Sequence, residues 1–197
     1  MPRTIDRDAR KAQLAEAVWR VVRERGIGAV SVRTVAAEAG VVVGSLRHVF
    51  PTRAELLAFS AELMVSRATD RITTVVQTGD AVRDAVAVLR HLLPLEPDSR
   101  AELEVNLALI AEAPALPALR GIRDEAHRQL AELCVLLLEA VTGRDRDEEL
   151  LVGARRLHAL ADGLAVHVLL REDDGDWAVE ILTRELEALG RASTPPH

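Results

Sequence analysis

Ser45, Arg47 and His48 lie within four consecutive positions, and all three side chains can hydrogen-bond to a partner outside the chain. Arg47 carries the most specific chemistry of the three. A guanidinium can aim two parallel N–H groups at the O6 and N7 edge of a guanine. Arg33, Thr34 and Arg53 suggest a second chemistry. Each stands at the start of a stretch with helical spacing, where side-chain donors and unsatisfied backbone N–H groups together favour phosphate. Both chemistries need short, rigid elements to hold the side chains outward.

The sequence supplies such elements. Residues 8–25 place Ala12, Ala15, Val18, Trp19 and Val22 on one side of an amphipathic helix that stops at Gly26. Ser31 then caps a second, short helix over Val32–Ala39, which closes at Gly40. A third runs from Val43 to Phe50 and must end before Pro51, because proline disfavours helical geometry in the residue before it. Leu46 and Phe50, four apart, anchor it and leave Ser45, Arg47 and His48 facing solvent. The second and third helices with the turn between them form a helix-turn-helix, in which one helix can enter a major groove while the other crosses the phosphates.

Thr52 caps a fourth helix from Arg53, with Glu55 in its first turn, running to about Gln77. Asp80 caps a helix to Leu93, Asp98 or Ser99 caps another through Ala113, and Pro117 opens a long one to Thr142. A helix from about Asp147 to Leu170 aligns Leu150, Ala154, Leu157, Ala161, Leu164 and Val168. The last, Trp177–Leu189, turns Ile181, Leu182, Leu186 and Leu189 inward, and a loose tail follows from Gly190. The pattern predicts an all-α chain of nine helices. Its apolar half is mostly Ala, Leu and Val with four aromatic residues and no tyrosine, which agrees.

Overall charge points the other way, since the net of −6 over 197 residues is unusual for a polyanion binder. The charge is unevenly placed, however. Residues 1–53 carry ten basic and five acidic residues, a net of +5, and the remainder carries fifteen basic and twenty-six acidic, a net of −11. Charge alone is equally compatible with a solvated arginine-rich face beside an acidic body. The lopsided count and the leading amphipathic helix together favour a nucleic-acid partner for the first segment.

Other functional classes find little support. Cys134, the single cysteine, can form no intramolecular disulfide and reads as a small packed hydrophobe. The polar N-terminus and interrupted apolar runs predict a cytoplasmic chain with no membrane association. No Gly-x-Ser-x-Gly or His-Glu-x-x-His motif occurs, and Asp124-Glu125-Ala126-His127 lacks the glycine-rich phosphate loop that a nucleotide-driven motor would need. We therefore expect no enzyme activity, no cofactor and no metal. Asn106 shares a helical face with Leu103, Leu107 and Ile110, so it reads either as a buried inter-helix hydrogen bond or as a ligand contact. His158 and Asp162, one turn apart, are the other ligand-binding candidates, with a structural pair as the commoner meaning of such spacing. Beyond Phe59 the only aromatic residue is Trp177, which argues against a cage for flat cations and favours an apolar or acyl ligand.

The run from Ala36 to Leu57, AAEAGVVVGSLRHVFPTRAELL, resembles the N-terminal module of TetR-type transcriptional regulators, AxxAGVSxGxLYxHF followed by a basic residue and a Leu-Leu pair. The likeness covers about residues 8–60. Asp162–His167 and the final helix are similar to the dimerisation end of actinobacterial members. The resemblance implies a helix-turn-helix DNA-binding domain over 1–53, a ligand-binding and dimerisation domain over 54–190 and a flexible tail over 191–197. It further implies a homodimeric repressor on a palindromic operator of double-stranded DNA, released by a small-molecule effector. By position, the base-reading side would be Val43, Ser45, Arg47 and His48, with Arg33, Thr34 and Arg53 on phosphate. Two departures stand out. Val42 replaces the usual Ser or Thr cap, and Arg47 and Val49 occupy the common tyrosine positions, so fewer hydroxyl contacts and a steep salt dependence follow. The alternatives are a helical small-molecule or metal-binding bundle without DNA-binding activity, and an interaction module that keeps the fold.

Overall fold

The computed structural model describes residues 3–171 and 173–192, with side chains described from Arg10 to Arg191. Among these residues there are nine α-helices and no strand: α1 Arg3–Arg25, α2 Val32–Glu38, α3 Val43–Val49, α4 Arg53–Thr73, α5 Ala81–Arg90, α6 Pro97–Glu112, α7 Pro117–Thr142, α8 Glu148–Arg171 and α9 Asp176–Ala192. Single 3-10 turns, Ile27–Ala29 and Ala113–Ala115, follow α1 and α6.

The chain forms two compact units that are not contiguous in sequence. One comprises residues 1–67 and 101–125, the other 68–100 and 126–197. The boundary expected at 53/54 therefore falls inside the first unit, because the start of α4 and most of α6 share a core with α1–α3. Leu14, Val18, Val35, Leu46, Leu56, Leu57, Val105 and Leu109 all lie in that core. In the second unit α5 packs on α9 and α8 packs on α9. The whole predicted stripe of α8, from Leu150 to Val168, is buried.

Local chemistry explains most helix ends. Ser31 Oγ accepts from the Thr34 N–H at 3.1 Å while the Ser31 N–H donates to Thr34 Oγ1 at 2.9 Å, a reciprocal cap at the start of α2. Asp80 Oδ1 caps α5 through the Arg83 N–H, and Asp147 Oδ1 caps α8 through the Leu150 N–H. Several ends differ from the sequence reading. α4 stops at Thr73, four residues early, where the β-branched run Ile72-Thr73-Thr74-Val75-Val76 disfavours helix. There the Thr73 and Thr74 hydroxyls donate back to Asp70 and Arg71 carbonyls. α5 stops at Arg90, and residues 88–93 tighten into bonds three residues apart ahead of Pro94.

α6 begins at Pro97, so neither Asp98 nor Ser99 is its cap. Proline suits the first helical position, and Ser99 Oγ instead accepts from the Glu96 N–H at 3.1 Å. α9 runs on through Gly190 and Arg191 to Ala192, which shortens the expected tail; its remainder lies outside the described residues. Ile181, expected to point inward, is exposed on α9, whose buried line is Ala178, Leu182 and Leu186.

Candidate nucleic-acid interface

The turn between α2 and α3 is built on Gly40. Its φ of +65° is a left-handed conformation that other residues adopt at a cost. The Gly40 N–H donates to Ala37 O and the Val41 N–H to Ala36 O at 2.9 Å, the paired closure of a Schellman end. α3 then starts without a side-chain cap, since Val42 offers none. Leu46 and Phe50 are buried, the latter with its ring 5.1 Å from that of Phe59. Each such burial is worth about 1.5–3 kcal/mol, so tertiary packing rather than intrinsic propensity holds this seven-residue helix.

That anchoring leaves Ser45, Arg47 and His48 exposed. Val43 is half-buried and packs against the core, so it offers only part of its side chain outward. Arg33, one residue into α2, is exposed. Neither Arg33 nor Arg47 makes a hydrogen bond or ion pair among the described residues.

Two expected phosphate contacts are differently employed. The Thr34 hydroxyl donates to Ala29 O at 2.7 Å and receives the Ser31 N–H, so it serves the reciprocal cap. Arg53 is turned into the protein. Its Nε donates to Val30 O at 3.0 Å, Nη2 to Ile27 O at 3.1 Å and Nη1 to Glu112 Oε1 at 2.7 Å. Arg53 thus ties the start of α4 to the turn after α1 and to the end of α6. Sequence spacing placed it correctly at a helix start but could not reveal Glu112, 59 residues away.

The same sorting applies to the other cations of the first unit. Arg20 and Arg25 both pair with Glu38, Arg23 with Glu104 and Arg67 with Glu16. Arg67 also lies over the Trp19 ring at 5.1 Å, and Lys11 lies 5.6 Å from the centroid of Phe59. Arg10 has a neutral partner: its Nη2 donates to Ser45 Oγ at 3.1 Å, across 35 residues of sequence. Of the cations counted in residues 1–53, Arg20, Arg23, Arg25 and Arg53 are paired with carboxylates within the fold, whereas Arg10, Lys11, Arg33 and Arg47 have no carboxylate partner among the described residues.

A helix-turn-helix carrying this pattern has close relatives. Residues 13–58 match the model of bacterial regulatory proteins of the tetR family, and residues 81–191 match that of the BetI-type transcriptional repressor C-terminal region. The chain belongs to the TetR family of transcriptional regulators. It is 36% identical over 181 residues to the HTH-type transcriptional regulator PksA of Bacillus subtilis, covering 86% of this chain and 83% of that protein. A transcriptional regulator from Rhodococcus sp. Rha1 superposes with a TM-score of 0.82 at 27% identity, covering 94% of this chain and 99% of the other. A regulator from Saccharomonospora viridis solved with choline superposes at 0.71 and 23% identity, over 92% and 95% of the two chains, a likeness of fold. As a TetR-family member, this regulator has a DNA-binding helix-turn-helix domain.

The candidate ligand residues of the regulator fall in different settings. Asn106 is exposed, which corrects the buried reading. α6 has apolar residues around most of its circumference, so periodicity did not choose a face. Packing buried Val105 and Leu109 and left Asn106, Leu107 and Ile110 outward. His158 is buried in the second unit, with its ring 4.8 Å from that of His127 and its Nε2 3.5 Å from Asp162 Oδ2. Burial holds the His158 imidazole below its ordinary value, and the Asp162 charge pulls the other way. Asp162 itself is 62% exposed, so the two residues form a partly buried pair. Cys134 is fully buried and its thiol is pushed up to about 12, which fits an inert packed side chain. No group of three or more metal-ligating side chains converges among the described residues, and none of their helices is long and apolar enough to cross a membrane.

Proposed function

We propose that this regulator is a cytoplasmic repressor, not an enzyme, that binds a palindromic operator as a homodimer through residues 1–53. In this reading residues 54–190 pair the protomers and receive a small-molecule effector that releases the DNA. The observation that carries the DNA side is the sorting of charge. Arg33 and Arg47 are exposed and make no ion pair among the described residues, beside His48 and Ser45, while Arg20, Arg23, Arg25 and Arg53 are paired with carboxylates. Arg47 reads base edges and Arg33 holds phosphate. Thr34 and Arg53 shape the head from behind the contact surface. A mobility shift on the chain's own upstream DNA tests the reading. Binding should be tight and salt-sensitive, and Arg47→Ala should weaken and blur it. Absence of any shift at low salt, with no effect of Arg47→Ala, would falsify it.

For pairing, α8 and α9 retain Val152 and Ile181 as large exposed apolar residues after their main stripes are buried in the chain. Light scattering should give twice the chain mass, and Ile181→Glu should return the mass toward 21.5 kDa. For the effector, we favour an apolar or acyl compound over choline, although the C-terminal region matches a BetI-type model. Trp177, the one aromatic residue beyond Phe59, is already engaged. Its Nε1 donates to Asp173 at 3.0 Å and the Arg171 guanidinium lies 5.3 Å from its ring centroid, which leaves no aromatic box for a quaternary ammonium. Decanoate should raise the melting temperature and release DNA, and choline at the same concentration should do neither.

A further inference from the structure

We propose that Arg10, on α1, is a phosphate-contacting residue of the DNA interface, which makes the first helix part of the reading head. The inference rests on α3 being the recognition helix. Three observations carry it. Arg10 is exposed, and the one hydrogen bond it makes among the described residues goes to the hydroxyl of Ser45, which is exposed on α3 as His48 and Arg47 are. A hydroxyl does not compensate the guanidinium charge, and that one bond leaves four of its five N–H donors without a partner among the described residues. Every other described arginine of α1 pairs with a carboxylate: Arg20 and Arg25 with Glu38, and Arg23 with Glu104.

The position of Arg10 fits a phosphate better than a base. Side chains that enter a major groove come from the inserted helix, and a cation from an adjoining helix meets the backbone flanking it. The Ser45 hydroxyl holds the guanidinium at that flank before DNA arrives, which lowers the ordering cost of the contact. On binding, the free N–H groups close on phosphate oxygens as a bidentate fork.

Salt-dependent binding of the full-length protein to its upstream operator and to a scrambled duplex of equal length tests the assignment. Arg10→Gln removes the charge and, being two bonds shorter than the Nη2 that meets Ser45, also gives up that hydrogen bond while keeping a polar side chain. It should weaken both duplexes by the same factor, about three- to tenfold near 0.1 M salt, and reduce the slope of log affinity against log salt by about 0.9 per reading head. Arg10→Lys should restore the slope. Thermal melting should be unchanged, since the side chain is exposed. An unchanged slope in Arg10→Gln overturns the proposal. So does a Ser45→Ala variant that reproduces the whole loss with Arg10 intact, because Arg10 would then act only by bracing α3. If Arg47→Ala weakens operator binding while Arg10→Gln leaves it unaltered, the recognition role of α3 survives and the Arg10 contact fails. If neither variant alters binding, the recognition reading itself fails.

Discussion

α3 and α8 solve opposite problems with the same backbone conformation. α8 has 24 residues, a carboxylate cap in Asp147 and a buried stripe along most of its length. Its last turn is tied by Arg100, whose Nη1 and Nη2 donate to Leu169 O and Val168 O. α3 has seven residues, no side-chain cap, a glycine in its second position and one fully buried side chain, Leu46. Several polar side chains of α8 are engaged within the chain, Glu149 with Arg144, Arg156 with Glu185 and His158 with Asp162, whereas Arg47 and His48 of α3 make no hydrogen bond or ion pair among the described residues. Under the recognition role proposed for it, α3 is a helix held from one side only, and its sequence is correspondingly poor in self-stabilising features.

Substitutions can break this contrast from either end. The largest loss of stability should come from Gly175→Ala, between α8 and α9. The added Cβ would lie 2.5 Å from Leu95 Cδ2 and 2.9 Å from Val168 Cγ1, at a φ of +71°. Overpacking and left-handed strain together should cost about 2–4 kcal/mol, visible as a lower denaturant midpoint at unchanged slope. Arg47→Ala should do the reverse, costing about 1–3 kcal/mol of operator affinity and relaxing base preference with no change in melting. A melting shift comparable to that of Gly175→Ala would end the distinction between a reading helix and a scaffolding helix.

Acid should find the second unit through Asp84, a buried carboxylate at the start of α5. The Thr78 hydroxyl and N–H, with the Gly79 N–H, hold it below its ordinary 3.8. Because the folded value is lowered, this stabilisation is complete above pH 3.8 and is lost as pH falls through the folded value. Asp84→Asn should lower stability at neutral pH and flatten its decline in acid, as followed by urea denaturation across pH. The smallest effect should be a gain. Gly44 lies in α3, exposed, and a methyl added to it would meet nothing within 4 Å. Gly44→Ala should therefore raise stability by up to about 1 kcal/mol while weakening operator binding, because the new methyl stands between Val43 and Ser45 on the side offered to DNA. A variant that gained neither stability nor a binding defect would mean that α3 is not held back by its own composition.

Much of this was legible in the chain. Ser31, Gly40 and Pro51 delimit α2 and α3 by their own stereochemistry, and Pro117 and Asp147 open α7 and α8 for the same reason. The exposure of Ser45, Arg47 and His48 followed from the spacing of Leu46 and Phe50. Where several residues could play one part, the reading failed. Asp98 and Ser99 both resembled caps although Pro97 opened the helix, and the apolar residues around α6 gave no basis for choosing which way Asn106 would face.

The sequence by itself determined the all-α class, the order of the nine helices, the helix-turn-helix and the segregation of positive charge into residues 1–53, because these depend on neighbours within a few positions. Tertiary structure decided which of those charges stay available. Glu112 reaches Arg53 across 59 residues and Glu104 reaches Arg23 across 81, while Arg10 crosses 35 to meet Ser45. A charge count sums ions wherever they lie along the chain, but a guanidinium is neutralised by a carboxylate a few ångströms away in space. Only folding brings such pairs together.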